Sequence, residues 1–131
     1  MLFDSHAHLD DEQFDGDRDA LIRSLPARGV SCVLNAGDSL VSSGRAVELA
    51  EKYDFIYAAV GIHPHGAVRM QEEDLKALAE LAKHPKVVAI GEIGLDYHYD
   101  NPPRDIQKKR FIDQLKLSSE ENLPVIIHDR E

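Results

Sequence analysis

The sequence predicts an α/β protein: five parallel strands joined by four helical crossovers. Two observations predict it. Apolar runs of strand length alternate with segments of helical periodicity along the 131 residues, which is the rhythm of repeated β-α units. Most of the runs are near-continuous rather than alternating, as in parallel strands buried on both faces. A third observation concerns chemistry: the histidines and acids that stand out fall together at the C-terminal ends of these runs. In parallel α/β sheets and barrels that is the edge where ligands bind.

The elements follow in order. Leu2–Asp4 is the first strand, and a helix over 17–28 carries Ala20, Leu21 and Leu25 before its exit at Gly29. Val30–Leu34 is the second strand, followed by a helix over 40–53 with Val47, Leu49, Ala50 and Tyr53 on one face. Phe55–Val60 is the third. The helix over 72–83 carries Leu75, Leu78, Ala79 and Ala82, and Glu72, Glu73 and Asp74 at its start suit the positive end of the helix dipole. Val87–Ile90 is the fourth strand. A helix over 104–121 with Phe111, Ile112 and Leu115 exits at Asn122 and Pro124, before the fifth strand, Val125–Ile127.

Composition sets limits on function. An apolar fraction of 43% and a charged fraction of 30% exclude a disordered or fibrous chain. The single cysteine, Cys32, excludes an internal disulfide framework and reads as a small core residue. No basic segment precedes an apolar run, and no stretch approaches the ~18 apolar residues of a membrane span. The expectation is a soluble, cytoplasmic protein without a membrane partner. The net charge is −9, from 15 Lys and Arg against 24 Asp and Glu. Nucleic-acid binding through bulk positive charge is therefore excluded. A phosphate-bearing substrate would need a local device, such as metal ions or a few placed cations.

His6-Ala7-His8 has i, i+2 spacing, which in extended chain points both imidazoles to one side. That pair suits a divalent transition metal, although two turn histidines would look the same. Glu92, flanked by Gly91 and Gly94 on a very apolar strand, is poorly solvated unless paired or metal-bound. Its two oxygens could each hold one ion, or the residue could cap a helix or pair with a base. His128 ends a buried strand, either as a hydrogen-bonded core histidine or as a ligand. Arg130, on the same side, either clamps a phosphate or neutralises nearby acids. His63 and His65 repeat the i, i+2 spacing across Pro64 and read as substrate contacts, proton donors or neither.

Asp4-Ser5-His6-Ala7-His8-Leu9, Gly61-Ile62-His63-Pro64-His65, Gly91-Glu92-Ile93-Gly94-Leu95-Asp96-Tyr97 and Pro124-Val125-Ile126-Ile127-His128-Asp129-Arg130 resemble the TatD family of metal-dependent hydrolases, often deoxyribonucleases, within the amidohydrolase-like superfamily. Gln107 and Phe111 fit the same pattern. Ser118-Ser119 departs from it, since that helix usually carries alanine there. The resemblance implies a TIM-barrel (β/α)8 fold with two divalent ions. It implies His6, His8, Glu92 and His128 as metal ligands, with Glu92 bridging, and Glu92, His63 and His65 in catalysis. Arg130 would contact the substrate, with Asp96 and Tyr97 shaping the loop beside it. The implied chemistry is two-metal hydrolysis of DNA, at single strands or 3′ ends, by an activated water. The ions would supply the positive field that an acidic chain lacks. Mixed His and carboxylate ligands admit zinc, manganese or magnesium alike.

A barrel of this type needs ~250 residues, and the pattern requires a further histidine and a late aspartate that this sequence lacks. Residues 1–131 are thus expected to be the N-terminal part of one barrel domain, with an activity of its own left open. Four helices on one face would leave the inner face and two sheet edges bare, so self-association is expected. An open doubly wound sheet, with helices on both faces, would also suit the length. Two other functions fit less well: hydrolysis of an amide or lactone, for which a modified lysine often bridges the metals, and a non-catalytic half-barrel serving binding or assembly.

Overall fold

The structure is a computed structural model that describes residues 1–131. Five parallel strands form one sheet in sequence order: β1 (Leu2–Ala7), β2 (Val30–Ala36), β3 (Ile56–Val60), β4 (Val87–Asp96) and β5 (Val125–Arg130). Helices α1 (Arg18–Ser24), α2 (Leu40–Lys52), α3 (Glu72–Ala82) and α4 (Arg104–Glu121) make the crossovers, with 3-10 turns at Glu12–Phe14, Pro26–Arg28 and Pro64–Arg69.

Strand alternation sorts the core into two layers. Val33, Ile56, Ala58, Val60, Val87 and Ile90 join the helix residues Ile22, Ala46, Val47, Ala50, Leu78 and Leu117 in one cluster of 18 buried residues. Their strand neighbours Leu34, Ala36, Ala59 and Ala89 form a separate cluster of four that contains no helix residue. The helices therefore cover one face, as in a barrel wall, and the doubly wound alternative does not hold. Leu2 and Phe3 on edge strand β1, and Ile127 on edge strand β5, are 63%, 61% and 53% exposed.

Several elements differ from the sequence reading. The first helix stops at Ser24, because Pro26 has no N–H to give and its ring blocks the preceding turn. The chain then leaves through Gly29 at φ 89°, and the fully buried residue of α1 is Ile22, whereas Ala20 is exposed. Four strands run beyond their apolar stretches, because ladder hydrogen bonds do not depend on side-chain polarity. Register continues through Gly94↔His128, Leu95↔Asp129 and Asp96↔Arg130. Hence Glu92 and Asp96 lie inside a strand rather than in the loop after it, and the strand expected to end at His128 runs on to Arg130. Cys32 is half-buried rather than a closed core position. On α4 the apolar Ile112 is exposed, while Gln107 and Gln114 are fully buried.

Helix ends follow local chemistry. At α2, Ser39 and Ser42 exchange side-chain-to-backbone hydrogen bonds of 3.0 Å each, a capping box. At α3, the Gln71 N–H donates to Asp74 at 2.7 Å. Asn122 closes α4 in the left-handed conformation, and the Ser118 hydroxyl donates to Leu123 O at 2.7 Å. The departure from alanine at position 118 thus supplies a C-terminal bond.

Candidate metal centre

The C-terminal strand ends bring Glu92 into the middle of four histidines. Its side chain is 7% exposed. Oε1 lies 2.9 Å from His6 Nε2 and 3.2 Å from His8 Nε2. Oε2 lies 2.8 Å from His128 Nδ1 and 3.8 Å from His63 Nε2. Burial pushes the Glu92 carboxyl up, but hydrogen bonds from His8 and His6 outweigh it and hold the group well below the usual carboxylate range. Ligand atoms of His6, His8 and Glu92, and separately of His63, Glu92 and His128, lie within 4.8 Å of one another.

Backbone contacts set the site. The Glu92 N–H donates to Gly37 O at 2.7 Å and the His63 N–H to Asp38 O at 2.9 Å, so the β2 exit loop holds both. Gly94, at φ 147°, is required by close approach: a Cβ there would strike the carbonyl of His128 on β5. Three helix side chains then grip the strand ends, each bonding both the N–H and the C=O of one residue. Ser43 of α2 holds Gly61 at 3.0 and 3.1 Å. Gln114 of α4 holds Ile62 at 2.8 and 3.0 Å. Gln107, two turns earlier on α4, holds Asp96 at 2.8 and 3.1 Å. These amides act as substitute neighbouring strands where the ladder has ended. The sequence reading missed Ser43 and Gln114; their signal was a polar residue at a core-facing position of an amphipathic helix.

Hydrogen bonding also fixes which ring nitrogens carry protons. His8 Nδ1 lies 2.9 Å from Ala36 O, which only accepts, so Nδ1 bears the proton. A neutral His8 then turns its Nε2 lone pair towards Glu92 Oε1, a repulsive contact unless a cation lies between. Protonation is one answer, and the hydrogen bond to Glu92 raises the His8 pKa. A metal ion is the other. His128 faces carboxylates at both nitrogens, since Nε2 lies 3.0 Å from Asp96 Oδ2. A neutral imidazole has one N–H for these two acceptors, so this contact too calls for an added cation. These donors fit a divalent ion, with Ala36 O and Asp96 as the outer partners that orient ligating imidazoles.

His63 is different. Its Nδ1 accepts the His65 N–H at 3.2 Å, so the neutral ring carries its proton on Nε2. Burial, then the neighbouring His128, lower its pKa to about 4. His65 Nε2 lies 2.9 Å from Asp96 Oδ2. Asp96 is fully buried, and despite that burial, bonds from the Tyr99 N–H, His128 and His65 lower its pKa to about 2. Arg130 lines the same cleft, of about 490 Å³, together with His63, His65 and Arg69. Tyr97 does not reach the cleft lining: its ring lies 4.1 Å from the Arg104 guanidinium and its hydroxyl is buried without a partner. No helix is long and apolar enough to cross a membrane.

Comparison with known proteins supplies the family. The family described as TatD related DNase matches residues 3–131. The chain belongs to that family. It is 52% identical over 131 residues to the uncharacterized metal-dependent hydrolase YabD of Bacillus subtilis, covering all of this chain and 51% of YabD. It is 35% identical over 130 residues to the 3′-5′ ssDNA/RNA exonuclease TatD of Escherichia coli K12, covering 99% of this chain and 50% of TatD. Among solved structures, the TatD homologue YJJV of Escherichia coli superposes with a TM-score of 0.91 at 35% identity, with 99% of this chain and 51% of that one covered. A TatD family hydrolase of Entamoeba histolytica gives 0.87 at 26% identity, covering 99% of this chain and 50% of that one. The TatD-family chain described here spans about half the length of the curated relatives it matches. Its five strands and four helices are accordingly about half of a (β/α)8 barrel.

Proposed function

We propose that this chain is the N-terminal half of a two-metal phosphodiesterase acting on single-stranded nucleic acid. The observation that carries the reading is Glu92, whose two oxygens each face a separate histidine pair. His6 and His8 would hold one ion with Oε1, and His128 the other with Oε2. Bound there, divalent ions supply Lewis acidity to a phosphoryl oxygen and lower the pKa of water. The residues of the chain supply the rest. Asp96 holds His128 and His65 in place from below. His63, neutral at pH 7 with its proton on Nε2, donates a hydrogen bond to a substrate oxygen. Arg130 presents a guanidinium fork to phosphate. The metal-dependent hydrolase and ssDNA/RNA exonuclease names of the relatives support the reaction class.

The half-barrel binds metal by itself and turns over little or not at all without the remaining ligands. Its exposed Leu2, Phe3 and Ile127 favour self-association through the bare sheet edges and face. Calorimetry with Mn²⁺ or Zn²⁺, run beside a nuclease assay on single-stranded DNA with and without EDTA, tests the proposal. Metal uptake that Glu92→Gln abolishes is the expected result. A chain that takes up neither ion, or whose isotherm is unchanged by His6→Ala, would overturn it. A monomer by light scattering at micromolar concentration would remove the self-association.

A further inference from the structure

Beside the cleft lies a half-exposed aromatic ring that belongs to no core cluster. Tyr99 follows β4 and is 53% exposed, although its main chain is tied down: the Tyr99 N–H donates to Asp96 Oδ1 at 3.1 Å. Its ring meets the His65 ring nearly edge-on at 5.7 Å and the His98 ring at 4.8 Å. The Arg130 guanidinium lies 5.5 Å from its centroid. The ring is thus rigidly placed beside two cleft-lining side chains, His65 and Arg130.

The charges beside it are the cleft's own. In a chain of net charge −9, carboxylates hold Arg18, Arg23, Arg104 and Arg110, and of the four arginines without one, Arg28 and Arg45 lie away from the cleft lining. Arg69 and Arg130, both exposed and both lining the cleft, have no carboxylate within 4.0 Å. Two unpaired guanidinium groups lining the cleft, with a wet aromatic face against one of them, match a ligand that alternates anions with flat apolar rings. Inorganic phosphate would satisfy the arginines and leave the ring bare. A duplex would offer phosphates but keep its bases stacked on each other. A single strand offers both features, because its bases are free to stack on protein aromatics.

We propose that Tyr99, with Arg69 and Arg130, forms a subsite that takes one unstacked nucleobase and its adjoining phosphates. The inference rests on the phosphodiesterase reading of the Glu92 centre and adds the source of its preference for single strands. Arg69 grips the backbone without regard to sequence, and Tyr99 accepts any base, since every base has a π-face.

The test is equilibrium binding by fluorescence anisotropy in EDTA, which prevents turnover. The probes are a short labelled single-stranded DNA, the same strand with abasic sites, and its duplex. Tyr99→Leu is expected to weaken single-strand binding by roughly 5- to 100-fold, as for loss of a stacked base, while Tyr99→Phe restores it. The abasic strand should bind wild type and Tyr99→Leu alike, and the duplex should be indifferent to the substitution. Arg69→Ala should lower the slope of log affinity against log salt by about one. If wild type binds the single strand and Tyr99→Leu binds it equally well, this subsite is overturned while the phosphodiesterase reading stands. If wild type binds no single strand in EDTA, the subsite is overturned, while the phosphodiesterase reading, which takes its positive field from bound ions, stands or falls on metal uptake by calorimetry.

Discussion

On the β1 side of Glu92, His8 gives its Nδ1 proton to the Ala36 carbonyl and turns Nε2 towards the carboxylate. On the β3 side, His63 accepts a backbone N–H at Nδ1 and keeps its proton on Nε2. The same residue type, facing the same carboxylate, is prepared in opposite ways by one main-chain atom each. The first arrangement suits a ligand and the second a hydrogen-bond donor. Proximity to Glu92 therefore does not by itself make a histidine a ligand; the partner of the other ring nitrogen decides.

The most severe way to break this comparison is to remove the group both sides share. Glu92→Gln should abolish metal uptake on both sides, well beyond the ~10- to 100-fold that loss of an orienting partner costs; calorimetry reads it directly. Next, the two sides can be separated. His8→Ala should weaken Mn²⁺ or Zn²⁺ binding strongly, whereas His63→Ala should leave the tighter binding event intact. Equal losses would mean that His63 is a ligand after all. Asp96→Asn comes third, with an expected loss of ~10- to 100-fold in affinity confined to the His128 side.

Titration sharpens the same contrast. The Glu92 hydrogen bond raises the His8 pKa, so protons compete with metal into the neutral range and affinity should rise with pH. His63 should stay neutral down to about pH 4, visible in its ring resonances. Folding lowers the His63 pKa from 6.5 to about 4, so the unfolded chain binds that proton more readily within this window. Stability from this group is present above the window and is lost as the pH falls through it. The smallest expected effect lies far from the metal centre. Ser118→Ala should cost about 1 kcal/mol by losing the bond to Leu123 O. A thermal melt would show it, with metal affinity unchanged.

Much of this was legible in advance. His6 and His8 were readable because i, i+2 spacing in an extended chain has one geometric consequence. The α4 boundaries were readable because helix exit chemistry, at Asn122 and Pro124, is local. The buried face of α4 was misread for an equally physical reason. Hydrophobic periodicity treats glutamine as a surface residue, yet Gln107 and Gln114 lie fully inside because each amide satisfies one backbone N–H and one C=O. The ends of β1, β2, β4 and β5 were placed too early because the apolar signal stops where the site begins, although backbone pairing continues.

The sequence by itself determined the order of the elements and the residue types gathered at one sheet edge. These follow from periodicity, turn chemistry and short spacings. The packing decided that the helices lie on one face. The tertiary structure alone decided how Glu92 divides its oxygens, which nitrogen of each histidine carries the proton, and that Asp96 lies beneath two rings while Tyr97 turns away. Those depend on contacts such as His6 with Glu92, 86 residues apart, and His128 with Glu92, 36 apart. Sheet register brings such groups within hydrogen-bonding distance, and no local pattern encodes the angle at which they meet.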